Sequence, residues 1–299
     1  MTPLVLPRAL PKHVSVLPDE VIRLLDPQPG ETWVDCTTGV GGHTRAIAER
    51  VGATGRVFGF DQDAAMLAFA EPRLAGLPVT LLHANFEQVA EVLTHHGVTK
   101  VDGIFADLGF CSDQMSDPLR GFSFQGDGPL DMRLNPSIGQ TAADLVNTLS
   151  ERALADVFWE YGEERKSRWV AKRIVERRAQ KPFETTAELA ELVRRTVPRS
   201  GNIDQATRVF QALRIAVNDE LGALERLLAV APTLVKVGGS VGVISFHSLE
   251  DRRVKTALFR TPEVWHPVTK KPVEAGDDET ARNPRARSAK LRVAKRISG

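Results

Sequence analysis

Cysteine is scarce in this chain: Cys36 and Cys111 are the only two among 299 residues, too few for a disulfide framework or a cysteine-built metal site. Long apolar runs are also missing. None approaches the roughly 20 residues that span a bilayer, and no N-terminal stretch pairs a basic flank with the apolar run of a signal peptide. A cytoplasmic protein with no membrane partner and no bound metal is therefore expected. Nor is charge of one sign in excess, since 39 Lys and Arg face 38 Asp and Glu for a net charge of +1. Internal repeats and low-complexity segments are absent. What remains is a globular composition, 42% hydrophobic, long enough for one large domain or two ordinary ones.

Charge is unevenly distributed. Residues 281–299 hold Arg282, Arg285, Arg287, Lys290, Arg292, Lys295 and Arg296 without an acid, just after Asp277-Asp278-Glu279. That stretch suits an anionic partner; a solvated surface strand with a basic tail explains it equally well. Within 160–181, eight cations (Arg165, Lys166, Arg168, Lys172, Arg173, Arg177, Arg178 and Lys181) stand among four acids. A solvated helix face and RNA phosphate contact both account for them.

Short apolar runs alternate with helical patterns, which predicts β-α-β units and a parallel, doubly wound sheet. Strands are expected at 32–35, 56–61, 79–84, 101–107 and 240–245. A helix should start near Leu17 with Pro18 in its first turn, and another should run over 43–50. After residue 108 the rhythm breaks. Residues 115–135 read as a long Gly/Asp/Ser/Pro loop, too long for a simple connection. From 141 to 195 the pattern is helical, with Leu145, Leu154, Phe158, Trp169, Ile174, Leu189 and Val193 among its apolar positions. One long helix is expected over 205–228. The expected domains are 1–115 with 216–299, interrupted by a loop and helical subdomain at 116–215.

Asp35-Cys36-Thr37-Thr38-Gly39-Val40-Gly41-Gly42-His43 carries the main chemical signal, a glycine-rich turn between the first strand and a helix. Such a turn lets the backbone approach a ligand and presents free N–H groups at the helix start. A dinucleotide fingerprint needs a glycine where Thr44 stands, and a P-loop needs a Lys-Ser or Lys-Thr that does not follow. The acid-then-glycines turn of class I S-adenosylmethionine (SAM) methyltransferases fits best, with a ligand-free strand-to-helix turn as the competing reading. About 20 residues on, Asp61 ends the second strand, where a carboxylate can accept both ribose hydroxyls. Asp63 is its competitor, and a helix N-cap is the structural alternative for either. Phe86, after the third strand, is placed to meet an adenine or simply to fill core.

Asp107 closes the fourth strand in Ile104-Phe105-Ala106-Asp107-Leu108-Gly109-Phe110, the place where methyl-transfer chemistry belongs in such a sheet. Amino-methyltransferases carry a polar acceptor, two prolines and an aromatic there, the acceptor drawing on a weakly nucleophilic exocyclic amine. Here Leu108-Gly109 replaces the prolines. His247, after the last strand, either acts on the base or caps the following helix.

Asp107-Leu108-Gly109, Arg120-Gly121-Phe122-Ser123-Phe124 and Asp127-Gly128-Pro129-Leu130-Asp131-Met132-Arg133 together resemble the bacterial small-subunit rRNA cytosine-N4 methyltransferases, the RsmH or MraW family. So do His13-Val14-Ser15-Val16-Leu17, Tyr161-Gly162-Glu163-Glu164, the 207–215 and 217–221 blocks, Ser245-Phe246-His247-Ser248-Leu249-Glu250-Asp251-Arg252 and the 283–292 block. The resemblance implies an α/β class I SAM-dependent methyltransferase with a Rossmann-like doubly wound sheet and a helical insertion. It implies methylation of N4 of a decoding-centre cytosine in 16S rRNA, within the 30S subunit or a late precursor; a homodimer is compatible with it. Family SAM contacts fall on Gly41, Gly42, His43, Asp61, Phe86, Asp107 and Gln114, and the catalytic expectation is Asp107 with His247. Where the family reads D-L-G-V-S-S-x-Q-L, this chain has Phe110, Cys111, Asp113 and Met115, so no role for Phe110 carries over. Competing readings are a SAM-holding, RNA-binding ribosome assembly factor without turnover, a small-molecule methyltransferase, and a C5-cytosine methyltransferase using Cys111 as nucleophile.

Overall fold

The structure, a computed structural model, describes residues 14–199, 201 and 203–298; His13 of the first family block lies outside the described residues. In chain order the elements are α1 (Pro18–Leu25), β1 (Thr32–Asp35), α2 (Gly42–Val51), β2 (Arg56–Asp61), α3 (Ala64–Leu74), β3 (Val79–His83), α4 (Val89–His95), β4 (Val101–Asp107), α5 (Ser112–Ser116), α6 (Ala142–Thr148), α7 (Glu151–Glu160) and α8 (Ser167–Arg178). There follow α9 (Thr186–Thr196), α10 (Thr207–Asn218), α11 (Glu220–Leu234), β5 (Val235–Ser245), α12 (Ser248–Phe259), β6 (Trp265–Pro267), α13 (Asp277–Arg282) and β7 (Lys290–Arg296). The chain forms two compact units, one of residues 1–109 with 221–299 and the other of residues 110–220.

The first unit is built on a seven-stranded sheet in the order β3-β2-β1-β4-β5-β7-β6. The five strands from β3 to β5 are parallel, and β7 runs antiparallel to both β5 and β6. Adjacent residues of a strand point to opposite faces, and helices cover both. On one face Val34, Phe58, Phe60, Ile104 and Ala106 pack with Leu93 of α4 and Leu224, Leu227 and Ala231 of α11. On the other, Trp33, Val57 and Phe105 pack with Leu24 and Leu25 of α1 and Ile47, Ala48 and Val51 of α2. Burial on both faces is why these strands read as near-continuous apolar runs.

Two strands escape the sequence reading. The basic 281–299 stretch is no solvated surface strand: β7 lies inside the sheet, with Leu291, Arg292, Val293, Ala294 and Arg296 buried. The Arg292 guanidinium bonds Asp251 of α12 through Nε (2.6 Å) and Nη2 (3.1 Å) and lies over the Phe259 ring. A partner 41 residues earlier in the chain neutralises what looked locally like a solvated charge. β6, three residues long, has no periodicity to detect.

The second unit is helical around one core in which Leu145, Leu154, Phe158, Ile174, Leu189, Val193, Phe210 and Leu213 meet. The segment expected as an open loop contributes Phe122, Leu130, Met132 and Leu134 to it. Its backbone is tied to the start of α9: Leu130 N–H donates to Glu184 O (2.9 Å) and Thr186 N–H to Gly128 O (2.9 Å). Two further expectations fail here. The single 205–228 helix is broken at Asp219, whose φ of 46° and ψ of 40° place it in the left-handed region, a conformation that Asp tolerates better than most residues. Trp169, read as an apolar core position of a helix, is 54% exposed, because the buried stripe of α8 runs through Ser167, Val170, Ala171 and Ile174.

Candidate active site

The carboxyl ends of β1, β2 and β4 converge in the first unit, where ligands of open α/β sheets bind. Asp35, at the end of β1, is fully buried and works beneath the turn: Oδ1 accepts the Thr37 N–H (3.0 Å) and Oδ2 the Thr44 hydroxyl (2.6 Å). The carboxylate thus ties the two ends of the glycine turn together. Thr37 Oγ1 in turn accepts the N–H of Asp107 (2.6 Å), joining the turn to the end of β4. Gly41, with φ of 89°, is the residue before α2. A side chain there would be strained by the left-handed backbone and would also press on Leu74 at 3.2 Å.

Asp61, at the end of β2, accepts backbone N–H groups from Gly39 (2.8 Å, Oδ2) and Asp63 (2.8 Å, Oδ1). One bond per oxygen leaves each carboxylate oxygen acceptor capacity for a further donor. Burial nevertheless pushes its pKa up to about 7, outweighing those two bonds, with the neighbouring Asp63 and Asp35 charges adding to the rise. Asp63 has a different occupation. Its side chain accepts the Ala65 N–H (3.0 Å) as the N-cap of α3. Phe86 sits half-buried at the start of a short 3₁₀ turn, packed against the sheet core.

Asp107 carries the most perturbed of these three carboxyls. Burial raises its pKa to about 8; Arg285 opposes the rise, and the charges of Asp35 and Glu250 reinforce it. Oδ2 lies 3.7 Å from His43 Nε2, and the His43 ring rests at 4.8 Å, tilted, on Phe105. Oδ1 is buried and accepts no hydrogen bond among the described residues; neither does the buried hydroxyl of Thr38. A buried carboxylate oxygen left unengaged costs free energy until something donates to it. SAM would supply hydroxyl donors for Asp61 and, besides Arg285, a further cation near Asp107.

His247 stands at the N-terminal boundary of α12, with Nε2 3.1 Å from Glu250 Oε1. The other oxygen of that buried carboxylate accepts the backbone N–H of Phe246 (2.8 Å) and of His247 (3.3 Å). Glu250 therefore satisfies the helix end, and the imidazole is held by the same group. Gln114 belongs to the second unit, where its Oε1 accepts the Cys111 N–H (2.8 Å) at the start of α5. Sequence reasoning missed Thr37, Thr38, Glu250 and Arg285 as neighbours of this centre. Glu250 and Arg285 reach it from positions more than 140 residues after Asp107, so no local pattern announces them.

The chain is 53% identical over 292 residues to the ribosomal RNA small subunit methyltransferase H of Sorangium cellulosum, covering 96% of this chain and 92% of the relative. It is 51% identical over 287 residues to the protein of the same name from Deinococcus deserti, covering 95% and 93%. Among solved structures it is similar, at 10% identity and a TM-score of 0.40, to Aeropyrum pernix fibrillarin bound to SAM, covering 89% of this chain and 67% of that one. The sequence matches the MraW methylase family across residues 11–297. The chain belongs to that family of SAM-dependent methyltransferases.

Proposed function

We propose that this protein transfers a methyl group from SAM to N4 of a decoding-centre cytosine in 16S rRNA, acting on the 30S subunit or a late precursor. The relatives named above are small-subunit rRNA methyltransferases. The observation that carries the chemistry is the buried, unengaged Oδ1 of Asp107 at the end of β4, beside the glycine turn. In this reading the Gly41-Gly42-His43 turn, Asp61 and Phe86 hold the cofactor, which supplies an electrophilic methyl group.

The remaining work falls to the chain. The exocyclic amine of cytosine is a poor nucleophile because its lone pair is delocalised into the ring. Asp107 accepts one amine N–H, which fixes the orientation of the nitrogen and raises its electron density. Once the amine has gained a fourth substituent it is acidic, and its proton passes to the carboxylate or to water. No strong base is required beforehand, so the rate enhancement rests mainly on positioning. In this reading His247, 3.1 Å from Glu250, is the second group that orients the base.

Label transfer from methyl-labelled SAM to 30S subunits purified from cells lacking this protein tests the reading. The wild type is expected to incorporate label and Asp107→Ala to incorporate almost none. Tight SAM binding with no transfer by the wild type would instead mark an assembly factor that holds the cofactor without turnover.

A further inference from the structure

Four tryptophans occur in the chain, and they divide sharply. Trp33 and Trp265 are 1% and 2% exposed, whereas Trp159 and Trp169 are 58% and 54% exposed. Both exposed rings lie in the second unit, one near the end of α7 and the other in the first turn of α8, and both line one open cleft of about 460 Å³. The core does not call for them. α7 buries Leu154, Ala155 and Phe158, and α8 buries Ser167, Val170, Ala171 and Ile174. Two large aromatic rings held at the surface around a single concavity form an exposed apolar patch that marks an interaction site.

Charge selects the partner. Arg165, Lys166 and Arg168, all exposed, line the same cleft, against one acid, Asp156, which faces Arg152 at 3.9 Å. Other cations of this helical hairpin are engaged within the unit. Arg177 and Lys181 pair with Glu188, Lys172 and Arg173 pair with Glu176, and Arg178 donates to Val146 O. The eight cations that the sequence offers as phosphate contacts thus narrow to three, and those three surround the two rings. Aromatic faces with interleaved cations are the chemistry of single-stranded nucleic acid binding, in which bases stack and the backbone follows the positive charge.

We propose that Trp159 and Trp169 form a stacking platform for unpaired bases of the substrate RNA, with Arg165, Lys166 and Arg168 contacting the adjoining phosphates. This surface of the second unit gives the methyltransferase a grip on single-stranded RNA. The inference rests on the rRNA reading above and names the part of the chain that holds the strand.

The test uses the full chain with a fluorescein-labelled 12-nucleotide oligouridylate and a 12-base-pair RNA duplex as probes, followed by anisotropy. Wild type should prefer the single strand. Trp159→Ala and Trp169→Ala should each weaken that binding about tenfold, whereas the Phe variants, which keep a ring, should retain most of it. Arg168→Ala should lower the salt dependence by about one unit of slope. Unlabelled oligouridylate should quench the intrinsic fluorescence, and Trp159→Phe with Trp169→Phe should abolish the quenching because Trp33 and Trp265 are out of reach. Alanine variants that bind the single strand like the wild type would overturn the platform. So would loss of binding to whole 30S particles alone, which would indicate a protein contact. Methyl transfer by the wild type, assayed in parallel, separates the two readings: its absence removes the proposed activity, while unchanged RNA affinity of the variants removes only the platform.

Discussion

His43 Nε2 and Asp107 Oδ2 face each other at 3.7 Å, the first from the opening turn of α2 and the second from the end of β4. The glycine turn and the end of β4 are thereby brought together at the side-chain level, as Thr37 brings them together at the backbone. Asp107 is therefore positioned by the same turn that is proposed to hold the cofactor. Asp107→Asn preserves its size and removes the carboxylate. Single-turnover methyl transfer at saturating SAM should fall at least ~10²-fold, the scale of a lost acid–base or orienting group, with the thermal transition little changed. A variant that turns over within threefold of wild type would remove Asp107 from the chemistry.

The three acids of the site give binding a pH dependence with a definite sign. Burial raises Asp35 to about 6, Asp61 to about 7 and Asp107 to about 8. A carboxyl whose folded pKa lies above its unfolded value stabilises the fold most at low pH, and that contribution is lost as pH rises through the folded pKa. The unliganded protein should lose these contributions between about pH 4 and pH 8. SAM, cationic and rich in hydroxyl donors, favours the ionised forms of Asp61 and Asp107, so its binding should release protons. Calorimetry in buffers of different ionisation enthalpy should show that release near pH 7, with affinity rising from pH 6 to pH 8. A flat affinity across that range contradicts the assignment.

Cys111 precedes α5 and is buried, and its backbone N–H donates to Gln114 Oε1. Serine is a good residue at such a boundary and cannot act as the thiolate that C5 methylation needs. Cys111→Ser should methylate at a rate close to wild type. Complete loss of activity in a folded variant that still binds SAM would favour the C5 reading.

Stability should depend on a pair that the site does not use. Asp251 and Arg292 bond between α12 and β7, with side-chain exposures of 16% and 6%. Removing one partner strands the other charge. Asp251→Ala should cost roughly 3 kcal/mol in denaturant unfolding, and Asp251→Leu with Arg292→Met should recover much of it. A cost below about 0.5 kcal/mol, typical of exposed pairs, would show that the guanidinium reaches water.

The legible part of this molecule is the part whose physics is local. Asp35, Asp61 and Asp107 each end a short apolar run, so β1, β2 and β4 and their order of use could be read directly, as could the turn before α2. β7 could not, because Lys290, Arg292, Lys295 and Arg296 look solvated until Asp251 and Phe259 are known to receive Arg292. The break at Asp219 rests on one residue's backbone angles inside an otherwise helical pattern. Trp169 fits an apolar period numerically, yet the buried stripe passes beside it. At the site, the turn and the strand-end acids were visible, while the charges of Glu250 and Arg285 act on Asp107 from positions that only the folded sheet brings near.

The proposed reaction methylates a single kind of atom in a single RNA. Mass mapping of 16S rRNA from cells lacking this protein, complemented with wild type or Asp107→Ala, addresses it directly. One cytosine of the decoding centre should carry an N4-methyl group with the wild type and lack it with Asp107→Ala and without complementation. A methyl group restored on C5, on another base or by Asp107→Ala as readily as by the wild type would contradict the account.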